Sequence, residues 1–229
     1  RTVVSLAPTL APLALKRAAA CMAAWPAGVH QLLVMPGTEA GTELGPLPGV
    51  LQACYVGAGA DVALAAAGVA SLRLYGAGQF PGQSPIACID ERIADEFVAA
   101  LHPFMALLEA GDPVKPGTDL GPLATHERLR EVEGTIAALA RRSATLVFGG
   151  RSYQPWGLKG HFLQPTILVD RSGDVASYPT GIPGPVVIVV PVRGEAGAIA
   201  ALRVDGRPVD VSLFDREPVR RRFHRAQQL

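Results

Sequence analysis

Three cysteine thiols are the most reactive side chains in this sequence, at Cys21, Cys54 and Cys88. A cysteine thiolate can attack a carbonyl carbon, so a thiol is the natural first candidate for a catalytic nucleophile. The number is odd, and the spacing contains neither a C-x-x-C pair nor a nearby histidine cluster, which argues against a disulfide framework or a zinc site. Cys88 lies in the apolar run 86–89, where a small buried core residue is the simpler interpretation.

Potential general bases are sparse around Cys88. No Asp or Glu occurs between Asp61 and Asp90, whereas Glu91 and Glu96 follow Cys88 closely and could act as its base. The histidines are scattered, and none stands beside a Ser or Cys in a catalytic motif; they are His30, His102, His126, His161 and His224. The sequence therefore predicts no metal site, and Cys88 with Glu91 or Glu96 is the nucleophile and base that these residues offer.

The overall composition is that of a globular chain without a charge bias. The 229 residues are 49% hydrophobic and carry 21 Lys plus Arg against 20 Asp plus Glu, so neither nucleic acid nor an acidic membrane surface is a predicted partner. No apolar run approaches the ~18 residues of a membrane span, and the first residues do not form a signal peptide, so we expect a cytoplasmic setting. The arginines within 216–225 predict a solvated basic helix over 216–227.

The elements that would position these side chains alternate over the first 75 residues. Short apolar runs and helical spacing predict strands at 3–6, 30–34 and 50–56 and helices at 12–25, 39–44 and 60–71. This alternation is typical of a parallel sheet with crossover helices, which binds nucleotides at its strand ends. Gly57 follows the third strand, where its backbone could face a pyrophosphate or could serve simply as a turn glycine.

The remainder of the chain predicts a second α/β region. Apolar runs predict strands at 86–89, 145–148, 166–169 and 186–192, the last of them buried on both faces. Residues 93–109 and 126–142 have the spacing of amphipathic helices. In the first of these helices the predicted buried stripe consists of Phe97, Ala100, Leu101, Phe104, Leu107 and Leu108.

The segment after residue 75 resembles the nucleophile segment of the aldehyde dehydrogenases. The family pattern is G-Q-x-C, followed by a strand and by a helix that opens with an acidic pair and Phe. Here Gly78-Gln79 and Asp95-Glu96-Phe97 match, but Pro81 occupies the position of the nucleophilic cysteine. An alternative register over 82–85 again gives proline. Proline has no nucleophilic atom and no backbone N–H to donate to an oxyanion.

Further matches to this family follow in order along the chain. They are Pro26-Ala27-Gly28-Val29, Thr118-Asp119-Leu120-Gly121-Pro122-Leu123, residues 160–166 and Gly184-Pro185-Val186. The resemblance implies a partial Rossmann-like parallel sheet joined to an aldehyde-dehydrogenase-type α/β catalytic subdomain. It implies a dinucleotide-binding-like region over 1–75, a catalytic-like region over 76–229, a chain that begins part-way through the cofactor domain, and NAD or NADP as cofactor. Residues 71–80 are also similar to the branch that oxidises semialdehydes of α-keto acids.

Several functional positions of the family carry other residues in this chain. Besides Pro81, a forced alignment places Arg73 near the general-base Glu of the family's E-L-G-G segment. Leu6-Ala7-Pro8 stands where a Lys meets the adenosine ribose, and Gly181 stands where a Glu holds the nicotinamide ribose. These changes fall at separate places in the sequence, so the resemblance implies a scaffold that has been kept while its chemistry has been lost.

Three hypotheses follow. The first is a catalytically silent family member with a structural or assembly role, either as a homo-oligomer or with a segment that completes its fold. The second is an active dehydrogenase that oxidises a small aldehyde or semialdehyde with NAD or NADP, using Cys88 as its nucleophile. The third is a nucleotide-binding module that keeps the turn at Gly57 without any chemistry.

Overall fold

The computed structural model describes residues 2–6, 16, 20, 30–34, 51–80, 83–155, 157–179, 181–203 and 209–215. The chain divides into two compact units, Arg1–Gly49 and Val50–Leu229. In the first unit, strands β1 (Thr2–Leu6) and β2 (His30–Val34) pair in parallel, and both were predicted as strands. Lys16 and Ala20 are helical and lie within the predicted helix 12–25. The rest of that helix and the predicted helix 39–44 lie outside the described residues.

The second unit contains four α-helices and two short 3₁₀ turns among its described residues. The helices are α1 (Val62–Leu74), α2 (Ala94–Ala106), α3 (His126–Arg142) and α4 (Gly194–Leu202). The 3₁₀ turns are Tyr75–Gly78 and Val175–Ser177. The strands are β3 (Leu51–Val56), β4 (Ile86–Asp90), β5 (Ala144–Phe148), β6 (Ser152–Tyr153), β7 (Phe162–Leu163), β8 (Thr166–Asp170), β9 (Val186–Val192) and β10 (Val209–Phe214).

Six of these strands form one mostly parallel sheet in the order β10-β3-β4-β9-β8-β5. Only β5, at one edge, runs antiparallel to its neighbour. Helices α1 and α2 contribute to the apolar cluster on one face, and α3 and α4 contribute to the cluster on the other. Because both faces are covered, β4 and β8 are buried at every position, and β9 at all but Pro191. The predicted α/β fold with a parallel sheet is confirmed.

Helix α3 shows how the sequence determines a local element. The Thr125 hydroxyl accepts a hydrogen bond from the backbone N–H of Arg128, so it caps the first turn, and Arg141 and Arg142 lie in the last turn near the negative end of the helix dipole. The buried side chains recur at helical spacing; they are Leu129, Val132, Ile136 and Leu139. The observed bounds are those predicted from the apolar spacing.

Helix α2 departs from its predicted stripe. Phe97 and Leu101 are buried as expected, but Phe104 and Leu107 are 40% and 79% exposed. The buried stripe continues instead through Met105, and the helix ends at Ala106, just after Pro103. Because the helix turns Phe104 away from the sheet and Leu107 lies beyond its last residue, the prediction that both would be buried is wrong.

Strand β3 and helix α1 pack in the second unit. β3 lies between β4 and β10 in the six-stranded sheet, with Ala53 opposite Ile86 and Val209 opposite Leu51. The functional regions predicted over 1–75 and 76–229 therefore differ in their bounds from the compact units, whose boundary in the sequence lies between Gly49 and Val50. Helix α4 and the strands β6, β7 and β10 of this unit were not predicted, and the predicted helix 216–227 lies outside the described residues. In the described part of the chain, no helix combines the length and apolarity that a membrane span requires.

Candidate functional site

The turn after helix α1 has an unusual backbone. Gly76, Ala77 and Gly78 have consecutive positive φ angles of 57°, 55° and 70°. Such angles are free of strain for glycine but cost energy at alanine, and Ala77 is buried. At Gly78 a side chain is also excluded by space, because a Cβ atom would overlap the carbonyl group of Gly184. The segment that resembles the family's nucleophile loop is thus tightly fixed in space.

Arg73 makes one hydrogen bond to this turn and three to a distant segment. Its side chain is 1% exposed, and its guanidinium donates hydrogen bonds to backbone carbonyl oxygens at four positions. The acceptors are Gly78 (3.1 Å), Val186 (2.8 Å), Gly184 (2.5 Å) and Ile182. Burial lowers the pKa of Arg73 to about 10, so the guanidinium remains charged at neutral pH. Arg73 therefore joins the turn 76–78 to the segment 182–186.

Gln79 joins the same turn to a third segment. Its side-chain oxygen accepts a hydrogen bond from the Ala124 N–H at 2.7 Å, and its nitrogen donates to the carbonyls of Pro122 and Gly76. The three segments that carry family matches, 76–79, 118–123 and 184–186, are therefore in direct contact. Pro81 lies outside the described residues. The sequence matches each of these segments to the family separately, and no pattern in it indicates that Arg73 connects them.

Cys88 lies in the middle of strand β4 and is fully buried, with 0% exposure. Burial, together with a smaller effect of the neighbouring Cys54, raises the pKa of its thiol to about 12. Cys54 is also buried, and burial raises the pKa of its thiol to about 11. A thiol with such a pKa is protonated near neutral pH, so Cys88 has neither the ionisation nor the access that a nucleophile needs.

Gly57 begins the turn between β3 and α1. Its N–H donates to the Phe214 carbonyl at 3.0 Å, and a Cβ atom there would overlap the Asp215 carboxylate. The first turn of α1 is capped by the Asp61 carboxylate, which accepts from the Leu64 N–H at 3.0 Å. A pyrophosphate needs free N–H groups and a positive potential. The Gly57 N–H is already hydrogen-bonded and two carboxylates lie nearby, so this turn does not fit one. A side chain at position 57 would have to displace the Asp215 carboxylate, which is the end of a flexible side chain.

The family's E-L-G-G segment has a possible match upstream of Gly57. If Gly57 is matched to the family's cofactor turn, the segment is restricted to the residues between Gly57 and Gly78, which contain no Glu. Without that restriction, Glu43-Leu44-Gly45 matches the first three letters of the segment, with Pro46 in the fourth place. These residues lie outside the described part of the chain, and the match rests on the sequence alone.

A cavity of about 440 Å³ opens beside the turn, on the side of Phe80. Its apolar wall consists of Leu72, Tyr75 and Phe80, and the rings of Tyr75 and Phe80 have their centroids 5.3 Å apart. Its polar lining consists of amide and hydroxyl side chains, from Gln52, Ser71, Gln83, Ser84 and Ser212. The Gln83 side chain bridges the two aromatic residues, because it donates to the Tyr75 carbonyl and accepts from the Phe80 N–H.

A buried carboxylate lies at the end of strand β8. Asp170 is 0% exposed and accepts hydrogen bonds from the Tyr178 hydroxyl (2.5 Å), the Ser143 hydroxyl (2.7 Å) and the Ser172 N–H (2.8 Å). Burial alone would raise the pKa of Asp170, but these hydrogen bonds outweigh it, so the net effect is a lowered pKa. Within the described residues, no three His, Cys, Asp or Glu side chains form a group that could hold a metal ion.

Comparison with known proteins identifies the family. Residues 47–202, more than half of the chain, match the model of the aldehyde dehydrogenase family. The chain belongs to the aldehyde dehydrogenase family. The match includes all three segments joined by Arg73 and Gln79.

A named relative agrees with this assignment, and solved structures share the fold. The succinate-semialdehyde dehydrogenase [NADP(+)] of Deinococcus radiodurans is 36% identical over 124 residues, which cover 52% of this chain and 25% of that enzyme. The lactaldehyde dehydrogenase of Escherichia coli has a similar structure, with a TM-score of 0.78, 20% identity, and coverage of 99% of this chain and 54% of that one. The chain thus spans about half the length of that enzyme.

Both nicotinamide cofactors occur among these aldehyde dehydrogenases. The Deinococcus radiodurans relative is NADP(+)-dependent by name. The betaine aldehyde dehydrogenase of Staphylococcus aureus was solved in complex with NAD+; it has a TM-score of 0.80 and 19% identity, and the match covers 98% of this chain and 51% of that one. The cofactor class predicted from the sequence, NAD or NADP, is therefore that of the family.

Proposed function

We propose that this chain is a catalytically silent aldehyde dehydrogenase with a structural or assembly role. The observation that carries the proposal is the state of its candidate thiol. Pro81 replaces the family nucleophile in the sequence, and the nearest cysteine in the chain, Cys88, is fully buried with its pKa raised to about 12. Without a thiolate there is no thiohemiacetal, and without that adduct there is no hydride to transfer.

The two alternatives are less well supported by the same residues. An active enzyme that uses Cys88 would require the thiol to leave the interior of strand β4, between β3 and β9. A nucleotide-binding module centred on Gly57 would require the diphosphate to displace the Phe214 carbonyl and to approach Asp61 and Asp215. Glu43 is our candidate for the family's general base; a base without the thiol still leaves the reaction without its first step.

An assembly role is supported by large apolar side chains that are exposed in the second unit. Leu107 is 79% exposed and Val114 is 89% exposed, and Phe104 is exposed on the last turns of helix α2. Apolar side chains of this size are common at surfaces that contact another protein. We therefore propose a homo-oligomer, or a complex with a segment that completes the fold, in a reducing cytoplasmic setting.

The test of silence combines turnover with thiol accessibility. NADH and NADPH formation is followed with succinate semialdehyde and with benzaldehyde, and we expect no rate above the enzyme-free blank. Native protein should resist iodoacetamide at Cys88, whereas protein unfolded in urea should be labelled there. A measurable rate that the Cys88→Ala variant loses would overturn the proposal. A thermal shift on addition of NAD+ or NADP+ would instead favour the nucleotide-binding module.

A further inference from the structure

Two histidines that lie far apart in the sequence come together beside the start of helix α3. The rings of His126 and His161 have their centroids 5.6 Å apart and are inclined by 53°. His126 is exposed and His161 is half-buried, so dissolved ions can reach the pair. Imidazole is the commonest protein ligand for metal ions, and it suits Zn²⁺, Cu²⁺ and Ni²⁺. The pair is therefore a candidate metal site.

Both histidines are held on a fixed backbone. His126 is the first residue of helix α3, and the Thr125 hydroxyl caps the first turn of that helix. His161 forms an isolated antiparallel bridge with Leu123, in which its carbonyl accepts from the Leu123 N–H at 2.9 Å. Leu123 comes just before the cap, so the bridge holds His161 beside the start of the helix. A metal ion would find its two ligands already positioned, which reduces the entropy cost of binding.

The separation of the two rings fits a shared metal ion. Zn²⁺ lies about 2.0–2.1 Å from an imidazole nitrogen, so the ring centroid lies about 3.2 Å from the metal. Two such rings have centroids about 5.2 Å apart at a tetrahedral angle and about 5.5 Å apart at an angle of about 120°. The observed distance of 5.6 Å is close to both values. Small side-chain rotations are enough for both rings to contact one ion.

The surroundings leave the ring nitrogens available and supply a negative charge. Between described residues, no hydrogen bond involves the ring of either histidine. The Glu127 carboxylate has a lowered pKa because of hydrogen bonds to its own backbone N–H and to Thr125, and both imidazoles lower it further. The positive end of the helix dipole disfavours a cation at this position, and the charge of Glu127 offsets that effect.

We propose that His126 and His161 together bind a transition-metal ion such as Zn²⁺. The described residues supply no group of three His, Cys, Asp or Glu ligands, so water completes the coordination. The sequence predicts no metal site because spacing along the chain does not reveal which distant histidines meet in the fold. The proposal concerns binding alone and does not depend on whether the chain is catalytically silent.

The experiment compares two divalent ions that prefer different ligands. Zn²⁺ and Mg²⁺ are each titrated into the full chain by calorimetry at about pH 7.5, where imidazole is ordinarily neutral, in a buffer that does not chelate metals. We expect one equivalent of Zn²⁺ to bind and Mg²⁺ not to bind, because Mg²⁺ prefers oxygen ligands and keeps its water. Failure of Zn²⁺ to bind, or equal binding of Mg²⁺, would overturn the proposal.

Matched variants locate the site. His126→Gln and His161→Gln should each weaken Zn²⁺ binding at least about tenfold, because a single imidazole has no chelate advantage. His102→Gln, which removes an exposed histidine from helix α2, should leave binding unchanged, and so should Cys21→Ser, which removes a competing type of zinc ligand. A loss in only one of the two paired-histidine variants, or a comparable loss in either control, would assign the ion to another site. Circular dichroism confirms that each variant is folded.

Discussion

Arg73 and Asp170 are both buried charges that are hydrogen-bonded to neutral groups. They differ in how far along the sequence their partners lie. Arg73 donates to carbonyls of Ile182, Gly184 and Val186, more than a hundred positions away along the sequence. Asp170 accepts from Ser143, Ser172 and Tyr178, all within a much shorter stretch. The first contact set joins separate motifs, and the second closes a local loop at the end of a strand.

The two sites also balance desolvation differently. For Arg73, burial dominates and lowers its pKa to about 10, which means that the charged form is disfavoured. For Asp170, the donated hydrogen bonds outweigh burial and lower its pKa, which means that the charged form is favoured. The comparison teaches that Arg73 costs stability as a charge while its hydrogen bonds fix the site. Asp170, in contrast, stabilises the fold as a charge.

The largest effect is expected from Arg73→Met, which keeps the length of the side chain but removes all its donors. All four carbonyls would lose a charged donor, although those of Ile182 and Gly184 keep a backbone N–H donor. We therefore expect a loss of about 3–5 kcal/mol in the free energy of unfolding. Arg130→Met, on the exposed surface of helix α3, should change it by less than about 0.5 kcal/mol. Urea unfolding measures both variants. A small loss in Arg73→Met would mean that the carbonyls find water.

A smaller effect is expected from Gly78→Ala, which tests the close approach of the turn to Gly184. The variant adds both a positive-φ penalty and an overlap with a backbone carbonyl, so we expect a loss of about 2–4 kcal/mol. Gly117→Ala is the matched control, because Gly117 has a φ of 89° but nothing within 4 Å of its Cβ position. That control should lose only about 1–2 kcal/mol. If thermal and urea unfolding show equal losses in the two variants, the overlap has no energetic weight.

The smallest effect is expected from Asp170→Asn. This variant distinguishes the two sites, because only the contribution of Asp170 to stability should depend on pH. The folded-state pKa of Asp170 lies below its unfolded value, so its contribution is present at neutral pH and is lost as the pH falls through the folded pKa. We expect Asp170→Asn to cost about 1–3 kcal/mol at pH 7 and progressively less below about pH 4. Arg73 stays charged in both states throughout this range and contributes nothing to that slope.

The control for the pH experiment is Asp95→Asn. Asp95 is exposed and forms a surface ion pair with Arg171 at 2.6 Å, a type of contact that contributes little to stability. The free energy of unfolding of Asp95→Asn, measured between pH 7 and pH 3, should run parallel to that of the wild type. If Asp170→Asn also runs parallel to the wild type, the hydrogen bonds to Asp170 do not favour its ionised form.

Much of this architecture could be predicted from local pattern. The continuous apolar run of β9 and the periodic spacing of α3 each indicated an element whose bounds the structure reproduces. Phe104 and Leu107 were placed wrongly because helical spacing alone does not reveal where a helix ends or which stripe faces the sheet. β10 was missed although Val209–Phe214 alternates apolar and polar residues at first, which is the period-two pattern of a strand, because the stretch is only six residues long.

The candidate site was less predictable, since its decisive contacts join distant residues. The motif letters located the segments 76–79, 118–123 and 184–186, but an arginine in an apolar helix gives no indication of which carbonyls it will contact. Gly57 looked like a cofactor glycine because strand-turn-helix patterns are common. Its hydrogen bond to Phe214 depends on β10, which is the last described strand of the chain.

The pairing of β10 with β3 has a consequence for how the second unit forms. Val209 lies opposite Leu51, so the first and last strands of this sheet are neighbours. During synthesis, β3 must wait beside β4 with one edge open until β10 has left the ribosome. Such non-local closure slows folding, and it leaves an unpaired strand edge available to other chains in the meantime. This unit is therefore expected to depend more on chaperones during synthesis than a fold of local hairpins would.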